Sequence, residues 1–173
     1  MTGISTDILE EAGDWPDVAQ IGRTAARAFD MAARCLEIGG VETEVSLVLT
    51  DDAHMRVLNR QWRGIDKPTN VLSFPALQPE GAPRPGDAPR MLGDIAIAYQ
   101  TTRREADDEG KPFDHHLSHL AVHGFLHLIG YDHETDAEAD AMEDLERRIL
   151  SRLGIPDPYD DAAADPERAD RHA

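Results

Sequence analysis

Apolar residues in this chain recur with two different periods, and each change of period marks out an element. ISTDILEE, Ile4 to Glu11, alternates weakly and predicts a first strand. From Asp17 to Ile38 the period lengthens. Ile21, Ala25, Phe29, Ala32 and Leu36 fall three or four apart, one stripe of a helix that Gly39 and Gly40 would close. TEVSLVLT, Thr43 to Thr50, alternates at Val45, Leu47 and Leu49 and predicts a strand. Asp51 and Asp52 then offer an N-cap to a short helix with Met55, Leu58 and Trp62 on one face. TNVLSF, Thr69 to Phe74, is a short apolar run that reads as a buried strand, and GDIAIAYQ, Gly93 to Gln100, alternates again and reads as another. Between them, residues 79–90 hold four prolines and two glycines, which predicts a surface loop. The capping-box spacing in TRRE, Thr102 to Glu105, predicts a helix start, with Gly110 and Pro112 at its end. Asp114 to Ile129 is apolar on nearly every side, the mark of a helix buried in a core. A second capping box, TDAE at Thr135 to Glu138, opens a helix whose Met142, Leu145, Ile149 and Leu153 share a face and which Gly154 and Pro156 stop.

Length and charge narrow what these elements build. A chain of 173 residues can bury one sizeable core, so residues 1–160 are expected to form a single domain. Residues 161–173 are acidic, lack periodic apolar positions and are expected to be a disordered tail. No apolar run approaches the roughly 18 to 20 residues of a membrane span, and the N-terminus lacks the pattern of a secretory signal. The single cysteine, Cys35, allows no internal disulfide, which fits a reducing, cytoplasmic setting. A net charge of −17 speaks against wrapping duplex DNA, whose binders usually carry a basic face. The acid is unevenly spread, however. From Glu134 onward thirteen Asp and Glu stand against five Arg, whereas Asp51 to Gln78 sets three acids against Arg56, Arg60, Arg63 and Lys67. A site for an anion can sit in such a local excess of cations.

Chemistry concentrates in HLAVHGFLHLIGYDH, residues 119–133, which holds four of the chain's eight histidines. A buried neutral imidazole needs a hydrogen-bond partner or a metal, because burying it unpaired costs about 1–3 kcal/mol. His119, His123 and His127 are each four apart and share one helix face. His119 and His127 lie about 12 Å apart along the axis at 1.5 Å per residue, too far to share one ion. Gly130 can break the helix three residues after His127 and turn the chain back, bringing His133 near the helix end. The pair His123 and His127, completed by His133, is therefore the candidate ligand set. Three histidines with one open position is the donor set of a catalytic zinc; a structural zinc would normally want a fourth protein ligand. His119 reads as a supporting or packing residue, and His54, His115, His116 and His172 carry no such signal. Metzincin proteases share the H-x3-H-x2-G-x2-H spacing, but they place a general-base Glu after the first histidine, where this chain has Gly124.

HGFLHLIGYDH, RGIDKPTNVLSFP and GDIAIA together resemble the bacterial YbeY family of zinc-dependent endoribonucleases, and the resemblance runs from about Val41 to Tyr159. It implies an α+β fold: a small, mostly parallel four-stranded sheet packed against about five helices, one of them a zincin-like helix bearing the histidines. It implies one Zn2+ per chain on His123, His127 and His133, and a functional arginine at Arg63. The implied activity is single-strand-specific cleavage in the 3′-end maturation of small-subunit rRNA and in ribosome quality control, with ribosome-associated proteins as further partners. Zinc would activate a water or polarise the scissile phosphate. Arg63, whose guanidinium donates two parallel hydrogen bonds and keeps its proton, would meet the phosphate's growing charge. Asp132 reads as an acceptor that orients a ligand histidine, and Lys67 as a phosphate contact or a solvated residue of its loop. Two other classes stay open: a ribosome-assembly factor that binds RNA and cleaves weakly, and a zinc hydrolase of another substrate. Nickel or iron in place of zinc stays open as well.

Overall fold

The computed structural model describes residues 4–38, 43–76 and 90–159. Four strands, β1 (Ile4–Glu10), β2 (Thr43–Thr50), β3 (Val71–Pro75) and β4 (Arg90–Ala98), form one sheet in the order β1-β2-β4-β3. β1, β2 and β4 run parallel, and β3 is antiparallel to β4. Five helices complete the chain: α1 (Val18–Cys35), α2 (Asp52–Arg63), α3 (Tyr99–Glu109), α4 (Phe113–Leu128) and α5 (Asp136–Arg152). The expected α+β class, with a mostly parallel four-stranded sheet and five helices, is what the structure has.

Strand alternation assigns the two faces of the sheet. Val45, Leu47 and Leu49 of β2 and Ile95 and Ile97 of β4 are fully buried in the main core with α1, α4 and α5. Phe29 of α1 stacks on Phe125 of α4 there, with ring centroids 5.8 Å apart. Each such large side chain contributes roughly 1.5–3 kcal/mol on burial. The alternate positions Ala96 and Ala98 of β4 and Leu72 of β3 face the other way and meet Met55 of α2 in a smaller cluster. α4 packs tightly on the sheet at Gly124, where an added Cβ would come within 2.9 Å of Ile95 Cγ2 and 3.1 Å of Ser73 Oγ. The Ser73 hydroxyl also donates to the Gly124 carbonyl at 2.9 Å. A glutamate at the metzincin base position would therefore overpack the junction of helix and sheet. Gly124 is explained by close packing.

Several boundaries differ from the sequence reading, each for a physical reason. α1 ends at Cys35, with Glu37 in the left-handed region at φ 54, so the chain leaves the helix before Gly39 and Gly40, which lie outside the described residues. The run expected to be a buried strand is the half-buried edge strand β3, starting at Val71. α3 starts at Tyr99, directly after β4, and Thr102 is not its cap. Thr102 is buried in the first turn, its hydroxyl donating to the Ala98 carbonyl at 2.6 Å. The cap comes from α2: Asp52 Oδ1 accepts from the Thr101 backbone N–H at 3.1 Å and its hydroxyl at 2.7 Å. In return the Asp52 N–H donates to Gln100 Oε1 at 2.8 Å. Thr135 does cap α5, accepting from the Glu138 N–H at 3.1 Å. Trp62, expected on one face of α2 with Met55 and Leu58, is 68% exposed and rests edge-on against Phe74 of the edge strand. Most of the Pro-rich loop and the acidic tail lie outside the described residues.

A three-histidine site beside the edge strand

α4 presents His123 and His127 one turn apart, and Gly130 then takes φ 105, a conformation open to glycine. The Gly130 and Tyr131 N–H groups donate to the His127 and Leu126 carbonyls at 3.1 and 3.0 Å, closing the helix end. The chain turns back, and His133 comes to lie 5.1 Å from the His127 ring and 5.8 Å from the His123 ring, centroid to centroid. One ligating nitrogen from each of the three lies within 4.8 Å of the others, and no other such group of His, Cys, Asp or Glu occurs among the described residues.

The donor chemistry fits a metal. His123 Nε2 and His127 Nε2 stand 3.1 Å apart. Two imidazole donors on one tetrahedral zinc, with bonds of about 2.0–2.1 Å, sit about 3.3 Å apart. One of the far ring nitrogens is occupied: His123 Nδ1 faces Glu146 Oε1 at 2.5 Å. That contact keeps the proton on Nδ1 and frees Nε2. Burial, helped by the charges of His123 and His133, pushes the His127 imidazole below its ordinary value, which favours the neutral ring a metal needs. His123, His127 and His133 can thus hold one metal ion.

The residue that braces this site was missed from sequence. Glu146 of α5 is fully buried. Burial alone would raise its carboxyl, but hydrogen bonds from His119 and His123 override that and hold it well below the usual carboxylate range. The Tyr159 hydroxyl donates to Glu146 Oε2, and His119 Nε2 lies 3.2 Å from the Tyr159 oxygen. Burial and the Glu146 charge push the Tyr159 phenol far above its ordinary value, so it remains a donor. His119 thus supports the carboxylate behind His123, one step back from the triad. The clue was legible: Glu146 falls four after Met142 and three before Ile149, on the buried face of α5, where an acid needs partners. Glu146→Gln keeps the shape and removes the charge. It is expected to weaken zinc binding about 10- to 100-fold in a competition titration against a chelator; unchanged affinity would show that Glu146 serves packing alone.

The triad lies in a groove of about 700 Å³ whose wall also includes Arg63, Asn70, Ser73 and Pro75. Arg63 ends α2 and is exposed, and Gly64 caps the helix at φ 72. Asp132 and Glu134 also line the groove. Asp132 Oδ1, expected on a ligand ring, instead accepts the His133 backbone N–H at 2.8 Å and fixes the turn. Lys67 is exposed and is not part of the groove wall. His116, given no role from sequence, is buried, with Nε2 2.9 Å from Glu105, which also accepts from Asn70 Nδ2 at 3.0 Å and so steadies that wall.

Residues 10–154 match the family Endoribonuclease YbeY. A protein of Rhodopseudomonas palustris named endoribonuclease YbeY is 62% identical over 167 residues, 96% of this chain and 94% of its own length. A Nitrobacter hamburgensis protein of the same name is 65% identical over 155 residues, 90% of this chain and 82% of its own. A solution structure of a Thermotoga maritima protein aligns with a TM-score of 0.55 at 23% identity, over 96% of this chain and 94% of that one, and at that identity it supports the fold alone. The family match covers β2 through α5 and with them Arg63 and the three histidines, so this chain belongs to the YbeY endoribonuclease family.

Proposed function

We propose that this protein is a zinc-dependent, single-strand-specific endoribonuclease that matures the 3′ end of small-subunit rRNA and takes part in ribosome quality control in the cytoplasm. The observation that carries the reading is the convergence of His123, His127, His133 and Arg63 on one open groove. The three histidines would hold the zinc, with Glu146 fixing the His123 ring. Bound there, the metal supplies Lewis acidity toward a water or a phosphoryl oxygen. Arg63 lines the same groove, where its guanidinium can bind two non-bridging oxygens of a phosphodiester. Ser73 and Asn70 shape the wall between them. No helix among the described residues is long and apolar enough to cross a membrane.

The test is to incubate zinc-loaded protein with single-stranded RNA, duplex RNA and casein, with and without a chelator. Cutting of the single strand alone is expected, stopped by chelation and restored by added zinc. Casein cleavage would place the protein among zinc peptidases. RNA binding without chelator-sensitive cutting would make it an assembly factor.

A further inference from the structure

The sheet face away from the main core is only partly covered. α2 shields it at Met55 and Leu58, and beyond them Val48, Phe74 and Ala96 line a groove of about 740 Å³. Trp62 lines it too, with its ring edge-on to Phe74 at 5.6 Å between centroids. At 68%, Trp62 is more exposed than Ile8, Leu9 or Val57, the other exposed large apolar side chains among the described residues. An indole left in water beside a second aromatic ring marks a recognition surface more than a packing accident. This groove and the three-histidine groove share Arg63, Leu72, Ser73 and Pro75. They lie on the two sides of edge strand β3 and meet at Arg63.

We propose that the groove at Trp62 and Phe74 takes a nucleobase of single-stranded RNA, the base adjoining the phosphate held at Arg63. The inference rests on the endoribonuclease reading and names how that site would select its substrate. An aromatic ring stacks on any base through its π-face. Glu11 and Asp94 also line the groove, so it repels a phosphate and admits a neutral, flat group, whose amino groups those carboxylates can accept. The backbone anion stays on the Arg63 side, and the exposed Arg60 sits in the same last turn of α2. A base in a duplex is already stacked and paired and cannot enter. Single-strand preference then follows from this groove and not from the metal.

Binding is measured on metal-free protein in chelator, so that nothing is cut. The probes are a short single-stranded RNA of mixed sequence, an abasic ribose-phosphate strand of equal length, and the duplex. Trp62→Ala is expected to weaken binding of the base-bearing strand about 5- to 150-fold, the range for losing one stacking platform. Trp62→Phe keeps most of that affinity, and the abasic strand binds wild type and Trp62→Ala alike. Trp62 emission in the wild type is expected to be quenched by the base-bearing strand and not by the abasic one; the other indole, Trp15, is buried. That readout needs no variant to fold. Equal binding of the base-bearing strand by wild type and Trp62→Ala overturns the proposal, as does equal weakening on both strands. So does unchanged RNA binding with loss of a ribosomal protein, which would make the groove a protein dock. Base-dependent binding in a protein that never cuts RNA would overturn the endoribonuclease reading and leave this one standing.

Discussion

In protein purified without added metal, His133→Ala is expected to remain folded, to lose stoichiometric zinc and to cut RNA no faster than chelated wild type. His133 is exposed on the turn after α4, so the substitution should move stability by no more than about 0.5 kcal/mol. It removes one of three donors, and the remaining two sit one turn apart on α4, with no other group of three His, Cys, Asp or Glu close enough to share an ion among the described residues. The Lewis acidity lost with the ion is worth several kcal/mol in the transition state, on the order of a thousandfold or more in rate. A thermal readout separates binding from catalysis. A ligand that binds only the folded state raises its melting temperature by mass action. Added zinc should therefore raise the melting temperature of wild type and leave His133→Ala unmoved. Stoichiometric zinc held by the variant would remove His133 from the ligand set.

What could be read from the sequence is what local periodicity controls. β2 was legible residue for residue because every second side chain enters one core. The triad was legible because α-helical spacing and one helix-breaking glycine, Gly130, limit which histidines can meet. What escaped depended on contacts between distant segments. α3 starts at Tyr99 because Asp52, 49 residues before the Thr101 it binds, supplies its cap, and no local pattern records that. β3 reads as a buried run, but its place at the sheet edge follows from strand order. Trp62 shares a helix face with Met55, yet only Met55 meets the cluster of Leu72, Ala96 and Ala98 and is fully buried.

The polar support of the site divides along the same line. Asp132 is next to His133 in sequence, and it braces the backbone of the turn. The carboxylate that meets a triad ring is Glu146, 23 residues from His123, which reaches it only because α5 packs against α4. An acid on an otherwise apolar stripe was the available sign, outweighed by the abundance of exposed acids around it. Burying that charge is tolerable only while its partners remain, since removing one side of a buried pair commonly costs 3–5 kcal/mol. The network of His119, His123, Glu146 and Tyr159 therefore ties the stability of the α4–α5 packing to the site it supports.

Arg63→Ala is expected to leave fold and zinc content unchanged while single-turnover cleavage of a single-stranded rRNA fragment falls about 100- to 1,000-fold, the usual cost of one preorganised donor to developing charge. The side chain is exposed at the end of α2, and Gly64, whose N–H donates to the Arg60 and Asn59 carbonyls, closes the helix without it. Only the favourable interaction of a cation with the helix C-terminus is lost there, typically 0.3–1 kcal/mol, and Arg60 in the same turn retains part of it. Two turns back, Arg56 is held by Asp66 through hydrogen bonds of 2.8 and 3.0 Å, whereas Arg63 has no such acidic partner among the described residues. Its guanidinium is thus available to a phosphate in the groove it shares with the three histidines. Arg63→Lys should rescue only part of the rate, because an ammonium keeps the charge and loses the fork that matches two phosphoryl oxygens. Zinc content and melting temperature, measured on each variant, separate a catalytic loss from a structural one. Wild-type cleavage by Arg63→Ala would reduce Arg63 to a helix-terminal residue and send the search for the phosphate donor to Lys67, on the turn that leads from α2 to β3.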